Sequence, residues 1–349
     1  KTSADRYIHA SVNYLKIEDL TGMLGQYAIM DLLEPDKATL SGELFNTQLK
    51  FSVDDEMNYI WVDSDFSHLA LRRPDHYSIA DLSGHFTIDN DNSMIHLESE
   101  KIQLLLPEYY REPLWFYNVN GDIARENHVN GMEIRIDSLS GKTTDFDFSL
   151  VSKMEQHADN DIMIELLANI SPVSTAGIMD YLPRAGNAKL MNRLRNSLSG
   201  GRFLHTDIVM RGPLSGFPFK NNEGTLQVIS QVENLSIDYN PDWPPVDNLH
   251  AEVILNNNKL ELVADRGNVF SAVISDTTAI IPDITAKPPI VMLKGEIDGT
   301  ARDMALFVSQ SPLNTRRSLQ IFTNEDLKGP IRLDLELGIP FKGGKKTIN

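Results

Sequence analysis

The chain has 349 residues, 41% of them hydrophobic, which is enough to bury a sizeable core and argues against wholesale disorder. The formal net charge of −17 argues against nucleic-acid binding and against lying on an anionic membrane surface, because both depend on clustered Lys and Arg. The absence of Cys excludes disulfides, thiolate metal sites and cysteine nucleophiles.

Three segments with helical periodicity interrupt a chain that is otherwise rich in strand patterns. Residues 17–33 carry apolar positions at helical spacing, residues 173–198 read as two short helices, and residues 300–322 begin as a helix. Each segment is followed by a Leu-x-Gly motif that leads into an alternating strand. The glycines of these motifs are Gly42, Gly200 and Gly329.

We interpret this self-similarity as an internal repeat of a helix, a Leu-x-Gly step and several long strands. The predicted division is a first repeat over 1–172, a second over 173–299 that opens with the helices of 173–198, and the start of a third over 300–349. Together the repeats are expected to form one continuous elongated scaffold.

Between the helical segments, apolar and polar residues alternate with period two, which predicts antiparallel strands with one apolar face. Polar turn signals separate the runs, as in a β meander. Periodicity alone leaves open whether the apolar face fills a closed core or lines a groove, since an inward Leu looks the same in both. The positions chosen as the inward face are Leu49, Phe51, Ile134, Ile136, Phe146, Phe148, Ile208, Met210, Val253, Leu255, Leu260 and Leu262.

One acidic turn, residues 89–100, has the approximate spacing of a calcium-binding loop. Asp89, Asp91, Ser93 and Glu100 fall at loop positions 1, 3, 5 and 12, but Met94 stands where the loop needs Gly for its sharp turn. The flanking alternation favours the other interpretation, a hairpin turn between two strands.

Other catalytic or metal-binding signals are weak. The nine histidines are scattered without metal-ligand spacing, although His85 and His96 could meet across a hairpin. Nucleotide-binding loops and the serine nucleophile elbow are missing from the sequence. Paired carboxylates such as Asp145 and Asp147 leave a β-rich carbohydrate hydrolase open as a distant possibility. We predict no enzymatic activity, no metal and no cofactor.

The segment IDYNPDWPPVDNL (237–249) lies between two alternating runs. Its prolines cannot donate hydrogen bonds to a strand ladder and stiffen the backbone, so the strand must stop there. We predict a structural corner in which Trp243 plugs the end of the apolar layer. The residues assigned to this corner are Tyr239, Trp243, Pro244 and Pro245.

An ordered series of motifs over residues 181–313 resembles the AsmA-like proteins of Gram-negative bacteria, and among them the large YhdP type. The series runs YLP, LSGGRF, RGPLSGFPF, EGTLQV, LSIDYNPDWPPVDNLHAEV, NNKLEL, AIIPDI, LKGEIDG and SQSPL. Residues 1–180 have the same style of β repeat, without an individual motif match.

The resemblance implies a mainly β fold, an elongated antiparallel repeat sheet folded into an open, taco-like groove with a few short helices between repeats. It implies a protein that extends through the periplasm and is tethered to the inner membrane through an N-terminal segment. This sequence has no apolar run of about 18 residues and no signal peptide, so that segment is expected to be absent from this chain.

The same resemblance implies that the groove shields phospholipid acyl chains and conducts them toward the outer membrane, which supports its permeability barrier. Phospholipids would be the ligand, with further inner- and outer-membrane protein partners at the missing ends. The alternative is a periplasmic structural or assembly scaffold for outer-membrane biogenesis, which would bind protein partners without carrying lipid.

Overall fold

The computed structural model describes residues 7–19, 38–52, 59–73, 75–129, 131–157, 161–182, 192, 195–217, 219, 221–314 and 329–340. The chain divides into two compact units. The first comprises Lys1–Ala168 with Pro213–Ser215, and the second comprises Asn169–Gly212 with Gly216–Asn349. No helix among the described residues is long and apolar enough to cross a membrane.

Long strands build the first unit, and each pairs antiparallel with the next from β1 to β8. The strands are β1 (Tyr7–Lys16), β2 (Thr39–Ser52), β3 (Ile60–Arg73), β4 (Tyr77–Asp89), β5 (Asn92–Leu105), β6 (Leu114–His128), β7 (Gly131–Lys142), β8 (Asp147–His157) and β9 (Ile162–Ile170).

A second meander, from β12 to β18, builds the second unit. Two short strands precede it, of which β10 pairs with β12 and β11 with β13. The elements are β10 (Val173–Ser174), α1 (Thr175–Asp180), β11 (Leu198–Ser199), β12 (Arg202–Pro213), β13 (Thr225–Ile237), β14 (Val246–Asn256), β15 (Lys259–Val269), β16 (Ala272–Ile281), β17 (Ile290–Thr300), α2 (Ala301–Ser309) and β18 (Pro330–Pro340).

The predicted fold class, a mainly β antiparallel sheet with a few short helices, is confirmed. Within the described residues, the first and last strands of each meander do not pair with each other, so neither unit closes into a barrel. This arrangement is consistent with an open groove.

The three segments predicted to be helical are described only in part. Residues 17–19 are helical, whereas 20–37 lie outside the described residues, as do 183–191 and 315–328. Helix α2 starts where predicted because Thr300 and Asp303 form a reciprocal capping box, in which each side chain accepts a hydrogen bond from the other residue's backbone N–H.

The glycines of the three Leu-x-Gly motifs all have positive φ angles. Gly42, Gly200 and Gly329 have φ angles of 144°, 61° and 124°, which disfavour residues with a side chain. At Gly42 the backbone of a neighbouring strand is also close, because a Cβ atom there would lie 2.8 Å from Leu69 Cα. The motif therefore marks a recurrent backbone feature in addition to a sequence pattern.

Candidate functional site

Cross-strand pairing places the apolar residues of the second unit on one face of its sheet, because directly paired residues project to the same side. One row of partners runs across β12 to β16: Ile208, Val228, Leu255, Leu260 and Ile281. The next row runs from β12 to β17: Thr206, Ser230, Val253, Leu262, Ala279 and Leu293. Met210 pairs with Leu226 on this face. We call this surface the second apolar face.

The opposite side of the same strands carries many charged residues. On β17 and β18, Arg332 lies 2.8 Å from Asp298 and 3.5 Å from Glu296. The two hydrogen bonds that Arg332 donates to Asp298 lower the pKa of Asp298 from its ordinary value. The sheet is thus amphipathic, and solvated ion pairs of this kind contribute little to stability but keep the outer side in water.

One part of the second apolar face is covered and belongs to the core. Met304 and Phe307 of α2 pack in a buried cluster with Ile297 of β17 and Ile339 of β18. Trp243 joins this cluster with 9% of its surface exposed, and its ring centroid lies 5.9 Å from that of Phe307. The helix and the proline-rich segment together close this region of the face.

The predicted corner lies between the end of β13 at Ile237 and the start of β14 at Val246. Tyr239 packs against the same cluster as Trp243, and burial raises its pKa. Pro244 is buried and Pro245 is exposed. The side-chain amide of Asn240 donates a 3.0 Å hydrogen bond to the carbonyl oxygen of Pro340, which holds the corner against the end of β18.

Another part of the second apolar face is only half-buried. Val253 and Leu262 pack against a second buried cluster formed by β13, β14 and β15. Leu255 and Leu260, one row further along the strands, are half-buried and lie outside both packed clusters of the described residues. Ile208 and Met210 are half-buried as well. The strands therefore run from a packed core into an apolar row that is half-buried among the described residues.

The first unit repeats this organisation. A buried cluster centres on Ile17, Leu44, Phe66 and Leu97. Beyond it, a row of cross-strand partners crosses β2 to β8: Leu49, Val62, Ile88, Ser93, Arg125, Ile134 and Met154. We call the side of the sheet that carries this row the first apolar face.

The other predicted residues of the first unit have different environments. Phe51 pairs with Ile60 and Ile136 with Ser152, beside the row that contains Leu49 and Ile134. Phe148 lies on β8, 5.6 Å from Phe116 between ring centroids. Phe146 is buried in the hairpin before β8, where its carbonyl oxygen accepts a 2.8 Å hydrogen bond from the N–H of Thr143.

A matched pair of buried hydroxyls occurs on each apolar face. Thr47 and Ser64 share a 2.8 Å hydrogen bond in the first unit, and Thr206 and Ser230 share one of 2.8 Å in the second. In both cases the Ser hydroxyl also donates to a carbonyl oxygen of the preceding strand, that of Phe45 or His205. The sequence alone did not single out these pairs, although each Thr follows a Leu-x-Gly motif within a few residues.

The acidic segment at 89–100 forms a hairpin. Asp89 Oδ1 accepts hydrogen bonds from the N–H groups of Asp91 and Asn92, at 2.9 and 2.7 Å, which closes the turn between β4 and β5. Carboxylates in such Asx turns favour hairpin closure. Among the described residues, no group of three or more His, Asp or Glu is arranged to hold a metal ion.

His85 and His96 are direct partners across this hairpin, on the outer side of the sheet. His85 contacts Asp65 at 3.0 Å and Asp63 at 3.2 Å, and the bond to Asp65 raises the pKa of His85. His96 contacts Asp122 at 2.8 Å. These histidines therefore have carboxylate partners on the polar surface.

Comparison with known proteins identifies the family of this chain. The family model described as "YhdP protein" matches residues 2–349. The chain is 25% identical over 268 residues to the Intermembrane phospholipid transporter YhdP of Escherichia coli (strain K12), a match that covers 75% of this chain and 20% of the relative. No solved structure matches. Because the family model spans nearly the whole sequence, the chain belongs to the YhdP family.

Proposed function

We propose that this segment shields phospholipid acyl chains on its apolar faces and conducts them from strand to strand. The observation that carries the proposal is the half-buried stretch of the apolar row from Ile208 to Leu260, which continues a packed core yet lies outside its buried clusters. A sheet that needed only a closed core would cover this row. The name of the Escherichia coli relative supports phospholipid as the ligand.

The geometry of the row suits a long hydrocarbon chain. From Ile208 to Leu260 the half-buried row crosses four neighbouring strands, about 14 Å at a spacing of about 4.8 Å per strand, and it ends at Ile281, which is buried. Each methylene group removed from water contributes about 0.8 kcal/mol. An acyl chain lying along the row would therefore be held mainly by apolar burial, which is non-directional and allows sliding.

We propose that transfer needs no catalytic residue and no cofactor in this chain. An acyl chain that moves along an apolar face exchanges one apolar contact for the next. A concentration gradient or an external energy source sets the direction of lipid movement. The charged outer side keeps such a scaffold in water, in agreement with the net charge of −17.

The cellular setting is proposed from the family. The chain would be one part of a longer protein that extends through the periplasm, is tethered to the inner membrane and supports the permeability barrier of the outer membrane. The proposed division into repeats at 1–172, 173–299 and 300–349 is supported by the positive φ angles of Gly42, Gly200 and Gly329.

Purification of the chain without detergent, followed by extraction and mass spectrometry of bound lipid, tests the proposal. We expect phospholipid to copurify in a fixed ratio to protein. Recovery of a folded protein free of phospholipid, together with captured envelope proteins, would favour the rival assembly-scaffold function.

A further inference from the structure

Arg125 is a cation on the first apolar face. It lies between Ser93 of β5 and Ile134 of β7, its direct cross-strand partners. Every other residue of the row from Leu49 to Met154, apart from Ser93, is apolar. Arginine is rarely found on an apolar surface unless its charge is paired or has a functional role such as binding a ligand.

The partners of Arg125 within the described residues leave much of its hydrogen-bonding capacity unused. Nη2 donates to Asn127 Oδ1 at 2.7 Å, and Nε donates to the sulfur of Met132 at 3.4 Å, which is a weak acceptor. No carboxylate oxygen of a described residue lies within 4.0 Å to form an ion pair with it. A guanidinium has five N–H donors, so three remain available.

The electrostatic setting is that of a partly desolvated cation. Burial lowers the pKa of Arg125 from its ordinary value, and the nearby charge of Asp91 acts in the opposite direction. An arginine remains protonated in proteins, so the charge persists and favours an anion beside it. Strands β4 and β6 end a few residues beyond this row, at Asp89 and His128, so Arg125 lies near the rim of the face.

Ser93, the direct cross-strand partner of Arg125 on β5, adds a second donor on the same face. It is 9% exposed, and its hydroxyl makes no hydrogen bond to another described residue. A guanidinium and a hydroxyl on neighbouring strands can together bind phosphate oxygens, because Arg presents a planar fork that matches them.

We propose that Arg125 and Ser93 form a subsite for the phosphate group of a phospholipid whose acyl chains lie on the first apolar face. This subsite rests on the proposed lipid-carrying function and adds a recognition element to it. The apolar row holds the chains without regard to the head group, whereas the Arg125–Ser93 pair selects lipids that carry phosphate.

The test compares two tail-labelled probes with identical acyl chains, a phosphatidylglycerol and a diacylglycerol that lacks phosphate. Arg125→Met is expected to weaken phosphatidylglycerol binding about tenfold, the usual scale for losing a hydrogen-bonded charge, and to leave diacylglycerol binding unchanged. Arg125→Lys should lie between the two, because lysine keeps the charge and loses the fork. Ser93→Ala, which tests the same subsite without removing a charge, should weaken only phosphatidylglycerol binding, by about threefold.

Arg135→Met is the matched control. Arg135 lies on the neighbouring strand β7 and pairs with Ala124, so it projects to the outer side, where Glu126, Glu133 and Asp137 surround it. Both probes should bind this variant as they bind the unmodified protein. A thermal unfolding curve for each variant separates lost binding from lost folding.

Three outcomes would overturn the subsite. If the unmodified protein binds phosphatidylglycerol but Arg125→Met weakens the binding of both probes equally, or of neither, only the subsite is wrong. Displacement of the lipid probe by a millimolar excess of inorganic phosphate would assign the donors to free phosphate. If the unmodified protein binds neither probe, the proposed lipid-carrying function falls and the subsite falls with it.

Discussion

Replacing Leu255 with Asp distinguishes an open lipid-bearing row from an ordinary core. Leu255 is half-buried between its partners Val228 and Leu260. Full burial of a Leu side chain stabilises a fold by about 1.5–3 kcal/mol, so losing a half-buried one should cost about 1 kcal/mol. The new carboxylate can remain hydrated as long as nothing covers it. We therefore expect Leu255→Asp to fold.

The lipid, in contrast, would have to cover that carboxylate. Removing an ionised group from water costs several kcal/mol, and each 1.4 kcal/mol is tenfold in affinity. We expect the phospholipid recovered by detergent-free purification and mass spectrometry to fall at least tenfold. Ile254→Asp is the matched control, because Ile254 is also half-buried but pairs with Ile229 and Glu261 on the outer side. Equal lipid recovery from the two variants would refute the reasoning, as would unfolding of Leu255→Asp alone.

Three further results are expected. In urea titration, Gly42→Ala should lower the free energy of unfolding by about 1–3 kcal/mol, because Gly42 has a φ of 144° and the Leu69 backbone lies close to it. Gly338 has open space around it, so Gly338→Ala should be nearly neutral. Burial acts to raise the pKa of Asp303, but hydrogen bonds from Ser271 and Thr300 lower it to about 2. The contribution of Asp303 to the free energy of unfolding should therefore be complete above about pH 4 and lost as the pH falls toward 2. A pH series in which the stability of Asp303→Asn follows that of the unmodified protein would contradict this. The bond to Asp65 raises the pKa of His85, so at about pH 5.5 His85→Gln should be less stable than the unmodified protein. The difference should be less than about 1 kcal/mol because His85 is partly exposed, and it should vanish at about pH 9. A loss of stability confined to high pH would have the wrong sign.

The strands were predictable because period two is a direct consequence of strand geometry. Val253 and Leu255 on β14, like Leu260 and Leu262 on β15, are each separated by a single residue, and the structure places all four on one side of the sheet. Family membership was also predictable, from the ordered motifs around the proline-rich corner, and is confirmed by the family match.

Whether each residue on that side packs in a buried cluster was not predictable from the sequence. Leu262 packs against a buried cluster, whereas Leu255 does not, although the two have the same pattern in the sequence. The difference depends on what lies over the sheet, such as Phe307 of α2 over β17, and local periodicity carries no information about such long-range contacts.

Arg125 escaped prediction for a related reason. Its direct cross-strand partners are Ser93, 32 residues earlier in the sequence, and Ile134, on the next strand, and they adjoin it only through the register of the sheet. Within β6 alone, Arg125 stands among Glu126 and Asn127 and reads as one more polar residue near a turn. Its position on the apolar face becomes visible only when the strands are paired.

Site-specific photo-crosslinking to phospholipid in living cells tests the central claim most directly. A photoreactive residue is placed in turn along β14 and β15, at 252–255 and at 260–263 of the full chain. Lipid contact along the half-buried row predicts crosslinks at 255 and 260 and none at 252, 254, 261 and 263, since these sets lie on opposite sides of the sheet. Crosslinks without alternation, or no lipid crosslink at Leu255 and Leu260, would contradict the claim that this face carries lipid.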